Sequence, residues 1–216
     1  MKIIATVTFA YLLLITLLAL QLDQAQVSFL FSEKGFFEQF SIVAWITAAI
    51  ALLIRHTKEA PRLATGMSLL CFLCAAREDD WHKKFTADGI LKLQYYTKSA
   101  SPLSEKIPAA LIALVFITLI FYATYLAYRA WRNGTWRYRH AQQLTILGIA
   151  LFFVGKILDR SISLLDELFQ ISMPKALGRM IGAYEEGFEM WSPVLFTVAA
   201  LWPTHRPATA PTDQVP

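Results

Sequence analysis

The chain has 216 residues, of which 56% are hydrophobic and 17% are charged, and its formal net charge is +4 at pH 7. This composition predicts one compact bundle built against lipid as well as protein. A nucleic-acid partner is excluded despite the positive charge, because the Lys and Arg residues lie in short loops between apolar runs and not on one soluble face.

Six apolar runs follow one another along the chain, and each is a candidate transmembrane helix, which needs roughly 20 mostly apolar residues. In chain order they cover residues 3–20, 36–54, 63–76, 108–128, 144–158 and 180–202. The third and fifth runs are short for a span, so we expect the charged residues after them, 77–82 and 159–160, to continue those helices into the membrane interface. The sequence therefore predicts an all-α integral membrane bundle of about six transmembrane helices.

Residues 1–204 are expected to form a single transmembrane helical domain, and residues 205–216 a disordered cytoplasmic tail rich in Pro, Thr and Ala. The first apolar run follows Lys2, as the apolar core of a cleaved signal peptide would. It is longer than the roughly 7–15 residues of such a core, and no small-x-small cleavage site follows it. We therefore expect this run to be retained as a helix.

Basic residues in short loops mark the cytoplasmic side of a membrane protein. Here they lie in the loops after the second and fourth runs: Arg55, Lys58, Arg62, Arg129, Arg132, Arg137 and Arg139. This pattern predicts that both termini are cytoplasmic. The acidic residues are distributed differently, because all but Glu59 and Asp213 fall on the outer side or in the outer halves of helices. We therefore expect a polar, acidic site near the outer, periplasmic leaflet.

Four of the predicted helices bring carboxylates to a similar depth near that leaflet. They are Glu38 in the second helix, Glu78 in the third, Asp159 in the fifth, and Glu185, Glu186 and Glu189 in the sixth. Glu78 shares a helix face with His82, and Glu185 with Glu189, because each pair is four residues apart. Glu189 is the deepest acid, and an ionisable group at such depth marks a functional site by default.

Pro193 gives a second reason to consider this part of the sixth helix. Proline has no amide N–H, so the carbonyl of Glu189, four residues earlier, has no helical partner. A freed carbonyl beside a carboxylate suits a cation or a water molecule. The alternative, which we favour for Pro193 taken alone, is an ordinary proline kink relieved by Ser192 or by a neighbouring helix.

The residue types of the site predict a divalent metal as cofactor. Carboxylates with an imidazole suit Zn, Mn or Fe, and carboxylates alone also accept Ca, so the identity of the metal stays open. The predicted ligands are Glu38, Glu78, His82, Asp159, Glu185 and Glu189. Two structural alternatives also stay open. Residues 77–84 can form a salt-bridged helix end, and Lys156, Asp159 and Arg160 can form a buried ion-pair network between the fifth and sixth helices.

Four short segments carry a resemblance to a known family. They are Glu33-Lys34-Gly35-Phe36-Phe37-Glu38, Arg77-Glu78-Asp79-Asp80-Trp81-His82-Lys83-Lys84-Phe85-Thr86, Asp159-Arg160 and Glu185-Glu186-x-x-Glu189. With these segments the chain resembles an uncharacterised family of bacterial multi-pass inner-membrane proteins over most of its length. The resemblance implies a location in the bacterial inner (cytoplasmic) membrane and carries no activity.

Three classes of function fit such a site. The first is a metal-dependent membrane enzyme, a hydrolase or transferase acting on a lipid or lipid-linked substrate at the periplasmic face, with membrane lipids as its partners. In this class Glu186 or Glu189 ligates the metal or acts as general base, and Arg160 or Lys83 holds an anionic headgroup. The second class is a cation- or proton-coupled transporter or channel, and the third is a non-catalytic subunit of a membrane complex. The apolar inner halves of the helices count against a transport pathway and favour the enzyme.

Overall fold

The computed structural model describes residues 2–32, 34–56, 61–81, 90, 93–132, 139–169 and 174–202, and every secondary-structure element within these ranges is a helix. The helices are α1 (Lys2–Gln21), α2 (Gln24–Phe31), α3 (Phe36–His56), α4 (Pro61–Glu78), α5 (Leu93–Thr97), α6 (Leu103–Arg132), α7 (Arg139–Phe169) and α8 (Lys175–Leu201). The prediction of an all-α chain is confirmed. The predicted tail, residues 205–216, lies outside the described ranges.

Four stretches of the described chain are long and apolar enough to cross a membrane: Lys2–Gln21, Gln24–His56, Leu103–Tyr122 and His140–Leu158. They indicate a membrane protein. Two further apolar runs of the sequence fall in α4 and α8, and each of these helices carries at least three charged residues. Arg62, Arg77 and Glu78 lie in α4, and three glutamates lie in the first half of α8. The helices that fall short as spans are thus the ones that carry most of the candidate site.

The charged residues after the two short runs behave differently from each other. α7 continues through residues 159–160 to Phe169, as predicted. α4 instead ends at Glu78, and Asp80 follows with a φ of 53°, a left-handed conformation that stops a helix. The predicted pairing of Glu78 with His82 on one helix face involves a residue outside the described ranges, so this pairing stays a prediction.

Helix α8 is the centre of the bundle. It packs against α7, α3 and α1, and α2 also contacts it, whereas α4 packs on α3 and α6 packs on α4. The start of α3, the end of α4 and the first half of α8 meet at one end of the bundle, where Glu38, Glu78 and Glu186 are neighbours. We refer to this end as the acidic end.

Away from the acidic end the core of the described bundle is apolar. One group centres on Trp45 of α3, which contacts the rings of Phe152 of α7 and Phe196 of α8. A second group, nearer the end of α8, holds Leu144 and Leu195. This core burial of hydrophobic side chains holds α3, α7 and α8 together below the acidic residues.

Helix α1 is attached to α8 by hydrogen bonds as well as by apolar contacts. The Tyr11 hydroxyl donates to the carbonyl oxygen of Gly187 at 2.8 Å, and the hydroxyls of Thr16 and Tyr184 are 2.6 Å apart. Gly187 leaves room for this contact, because a Cβ there would overlap the end of the Ile15 side chain, which would have to move. Close approach at a small residue combined with interhelical hydrogen bonds is typical of helix pairs in membranes.

Gly148 lets α7 approach α8 closely, and Gly155 lies at the same helix contact with ordinary van der Waals spacing. A Cβ at Gly148 would lie 2.8 Å from a ring carbon of Phe196, and a Cβ at Gly155 would lie 3.6 Å from Cγ of Glu189. The backbone of α7 therefore runs directly beside Glu189. This contact places the next residue, Lys156, within reach of that carboxylate.

Candidate functional site: a carboxylate cluster

Glu189 is the buried centre of the candidate site. Its side chain is only 6% exposed, and its Oε1 forms an ion pair with Nζ of Lys156. The Lys156 side chain is 25% exposed, so the pair has one enclosed partner and one partner at the edge of the bundle. A buried carboxylate without a cation would be strongly destabilising, and Lys156 supplies the cation from the neighbouring helix.

Glu78 brings a second carboxylate to the same place from α4. Its side chain is 9% exposed and forms an ion pair with the adjacent Arg77 at 3.0 Å. It also interacts directly with the Glu189 carboxyl and electrostatically with Lys156. The two carboxyls are close enough to share a proton or to hold a cation between them.

Glu186 adds a third carboxylate, one turn before Glu189 on α8. It is half-buried and interacts electrostatically with Glu189, Glu185, Glu38 and Glu78. Glu186 is therefore within electrostatic reach of Glu38 of α3 and of Glu78 of α4. We refer to Glu78, Glu186 and Glu189, with Arg77 and Lys156, as the carboxylate cluster.

Glu38 lies at the rim of the cluster, in the first turn of α3 as predicted. Its carboxylate accepts a hydrogen bond from the backbone N–H of Lys34, which has a φ of 66°. Gly35 follows, and a Cβ there would lie 2.7 Å from the Ser32 carbonyl oxygen, so this tight turn needs glycine. The turn and the helix N-terminus together fix Glu38 where a negative charge is favoured.

The carbonyl of Glu189 that Pro193 leaves free finds its partner on another helix. The Ser41 hydroxyl of α3 donates to this oxygen at 3.4 Å, while the Ser192 hydroxyl donates to the carbonyl of Phe188. The kink is therefore relieved by a neighbouring helix, which is the alternative favoured for Pro193 alone. This carbonyl is not a free cation ligand.

The remaining predicted residues are placed less fully. Asp159 and Arg160 belong to α7, one turn after Lys156, but their side chains are outside the described part of the chain. His82 and Lys83 are also outside it. Glu185 is half-buried beside Glu186 on α8. Of the predicted site residues, the structure brings Glu38, Glu78, Glu186 and Glu189 together.

The described residues contain no group of three or more His, Cys, Asp or Glu side chains arranged to hold a metal ion. At Glu189 the carboxylate oxygen is instead occupied by the Lys156 ammonium. Cys71 and Cys74 are free thiols buried in the apolar group around Trp45, although Cys74 is one turn from Glu78. Any metal at this place would have to be held by carboxylates and would have to compete with Lys156.

Three residues of this arrangement, Arg77, Lys156 and Ser41, are not among the site residues predicted from the sequence; Arg77 is predicted only as part of a salt-bridged helix end. Lys156 was assigned only to a structural network between the fifth and sixth helices, and its pairing with Glu189 joins those two helices. The signal was available, since an isolated lysine inside an apolar run needs an acid. Ser41 carried no such signal, because serine is common in helices that pack closely.

Compared with family models, with curated proteins and with solved structures, the chain matches none of them. The site is therefore interpreted from its own geometry.

Proposed function

We propose that this protein is a metal-dependent enzyme of the bacterial inner membrane, a hydrolase or transferase that acts on a lipid or lipid-linked substrate at the periplasmic face. In this proposal six helices cross the membrane, both termini are cytoplasmic, and the acidic end faces the periplasm. The divalent metal, one of Zn, Mn, Fe or Ca, binds at the carboxylate cluster.

The observation that carries the proposal is the charge balance of the cluster. Glu78, Glu186 and Glu189 contribute three carboxylates, and Arg77 and Lys156 contribute two cations. Counted as formal charges, these five described residues carry one negative charge more than positive, and one further positive charge would balance them. A bound cation supplies that charge, and a metal can then polarise a substrate oxygen or activate a water.

The residues of the cluster suggest separate roles. Glu78 and Glu189, whose carboxyls are direct neighbours, are the first candidates for metal ligands. Glu186 is half-buried and nearer the surface, so it is the candidate general base for an attacking water or alcohol. Arg77 is 34% exposed, and its guanidinium suits an anionic headgroup, alongside Arg160 and Lys83 as predicted from the sequence.

A second candidate, proton- or cation-coupled transport, is favoured by the direct neighbourhood of Glu78, Glu189 and Lys156. Such a group can exchange a proton for another cation. A transport pathway must also continue toward the opposite end of the bundle. The apolar groups around Trp45 and Leu144 occupy that region of the described core, which supports the enzyme over the transporter.

Elemental analysis of the purified protein in detergent tests the proposal. We expect near-stoichiometric divalent metal in the wild type, and its loss in Glu78→Gln and Glu189→Gln, because each substitution removes one anionic ligand. Glu105→Gln is the matched control, since Glu105 is exposed at the start of α6. A wild type without metal after mild purification would contradict the metal-dependent enzyme, and so would equal metal contents in all four proteins.

Turnover is tested separately with the metal-loaded protein. Incubation with a mixed bacterial lipid extract should release a headgroup or acyl product, detected by mass spectrometry. A chelator should abolish the release, and re-addition of the metal should restore it. Product formation that persists in Glu186→Gln would remove this residue from the role of general base.

A further inference from the structure

We propose that Lys156 is a built-in counter-cation: it occupies the metal position at Glu189 and moves aside when the divalent metal binds. The inference rests on the proposed function, because it concerns the occupancy of the same site. It adds a residue that controls the affinity of the site for its cofactor.

The contact itself identifies the position. Nζ of Lys156 forms an ion pair with Oε1 of Glu189, and that oxygen is buried. Lys156 also interacts electrostatically with Glu78, the second candidate ligand. The ammonium therefore contacts one of the two carboxylates that a metal would have to reach and interacts electrostatically with the other.

A metal and this ammonium exclude each other. Both bind a carboxylate oxygen by direct contact, and two cations within about 4 Å of one another repel strongly in a site shielded from water. Binding of the metal therefore requires that Nζ leaves Oε1. Without the metal, the same ammonium prevents Glu189 from being an uncompensated buried charge.

The structure gives Lys156 room to move and gives Glu189 none. The lysine side chain is 25% exposed and is a flexible four-carbon stem with a single charge at its tip. Glu189 is 6% exposed, and Gly155 keeps the α7 backbone close to its Cγ. Displacement is therefore a swing of the lysine toward the edge of the bundle, with both helices in place.

The test is a binding titration with Mn²⁺ in detergent, in which free Mn²⁺ is measured by electron paramagnetic resonance. Lys156→Met removes the competing charge and keeps a side chain of similar length, so it should bind Mn²⁺ at least about tenfold more tightly than the wild type. Lys156→Arg keeps the charge and should not gain affinity. Lys175→Met, at an exposed position at the start of α8, is the matched control and should behave as the wild type.

The possible outcomes separate the two proposals. Binding by both proteins, tighter in Lys156→Met, supports both proposals, whereas binding by Lys156→Met alone contradicts both, because Lys156 of the wild type then never gives way to the metal. Equal or weaker binding by Lys156→Met, with binding by the wild type, overturns the counter-cation and leaves the proposed function standing. Absence of binding in both proteins overturns both.

If Lys156→Met does not fold, acetylation of Lys156 in the wild type tests whether the metal displaces its ammonium. Saturating Mn²⁺ should release the ammonium and speed its acetylation by an amine-reactive reagent severalfold, as quantified by mass spectrometry of the Lys156 peptide. Acetylation of Lys175 should not change. Unchanged or slower modification of Lys156 would show that the metal does not displace it.

Discussion

Ser41 supplies the kinked part of α8 with a hydrogen-bond donor that this helix lacks. Pro193 cannot donate to the carbonyl of Glu189, and the Ser41 hydroxyl of α3 does so instead. This carbonyl belongs to the residue at the centre of the carboxylate cluster. The bond therefore joins the backbone of α8 at Glu189 directly to α3. A small polar side chain thus positions the charged one.

Substitution of these two residues should show non-additive effects. Ser41→Ala should lower the free energy of unfolding by about 1 kcal/mol, because it leaves a buried carbonyl without a donor. In a Pro193→Ala background the helix regains its own N–H donor, and Ser41→Ala should then cost clearly less. Denaturation of the four proteins in detergent measures the difference, and an equal cost of Ser41→Ala in both backgrounds would contradict the assigned bond.

The candidate residues of the site were predictable from the sequence to the extent that charge in an apolar chain is rare. Glu78, Glu186 and Glu189 stand out for this reason alone. Their partners were less predictable, because a single sequence gives the spacing along one helix and not which faces of two helices meet. The contact between Lys156 and Glu189 depends on such a meeting, at the close approach beside Gly155.

At the scale of elements, α8 is held on two sides by contacts that depend on small residues. Gly187 faces α1, where its carbonyl oxygen accepts a hydrogen bond from the Tyr11 hydroxyl and its missing side chain leaves room for Ile15. Gly148 and Gly155 lie on the other side of α8, where α7 packs against it. Helix α8, which carries three glutamates, is thereby enclosed by α1, α3 and α7. Its position depends on backbone proximity more than on bulky side chains.

Two glycines of α8 offer a matched comparison. Gly187→Val should lower stability by about 1–3 kcal/mol, because the new side chain overlaps Ile15 and pushes α1 away. Gly182→Val, on the same helix, should be nearly neutral, since a Cβ at Gly182 meets nothing within 4 Å. Thermal unfolding in detergent distinguishes them, and similar melting temperatures for the two variants would argue against the close α1 contact.

The helix boundaries agree with the prediction where a helix continues from an apolar run. They differ from it where the backbone conformation of one residue ends the helix. α7 extends through its charged residues because nothing in that stretch breaks a helix, whereas α4 stops at Glu78 because Asp80 adopts a left-handed conformation. α6 begins at Leu103 and includes Pro108, although the apolar run begins only at the proline. Pro108 lies in the second turn, where it cannot donate to the carbonyl of Ser104, and the polar residues before it are still part of the helix.

At the scale of the whole molecule, charge divides the bundle into an acidic end and an opposite end that is mainly basic. Glu105 lies in the first turn of α6 and Arg132 in its last turn, so a single helix connects the two ends. The proposed orientation puts Glu105 in the periplasm and Arg132 in the cytoplasm.

Labelling of single cysteines on α6 checks this orientation. In a background with Cys71 and Cys74 replaced by alanine, Glu105→Cys should react with a membrane-impermeant maleimide on intact cells. Arg132→Cys should react only after the membrane is permeabilised. The reverse pattern would invert the proposed topology, and labelling of both positions on intact cells would contradict α6 as a span.

The ion pair between α7 and α8 also bears on biogenesis. A helix with three glutamates enters a lipid bilayer poorly by itself, because each charge must be stripped of water. Lys156 belongs to the helix that precedes α8, so the two segments can leave the insertion machinery as one hairpin in which Glu189 is already neutralised. In the proposed topology of six spans, the counter-ion of Glu189 is therefore synthesised before the glutamate itself.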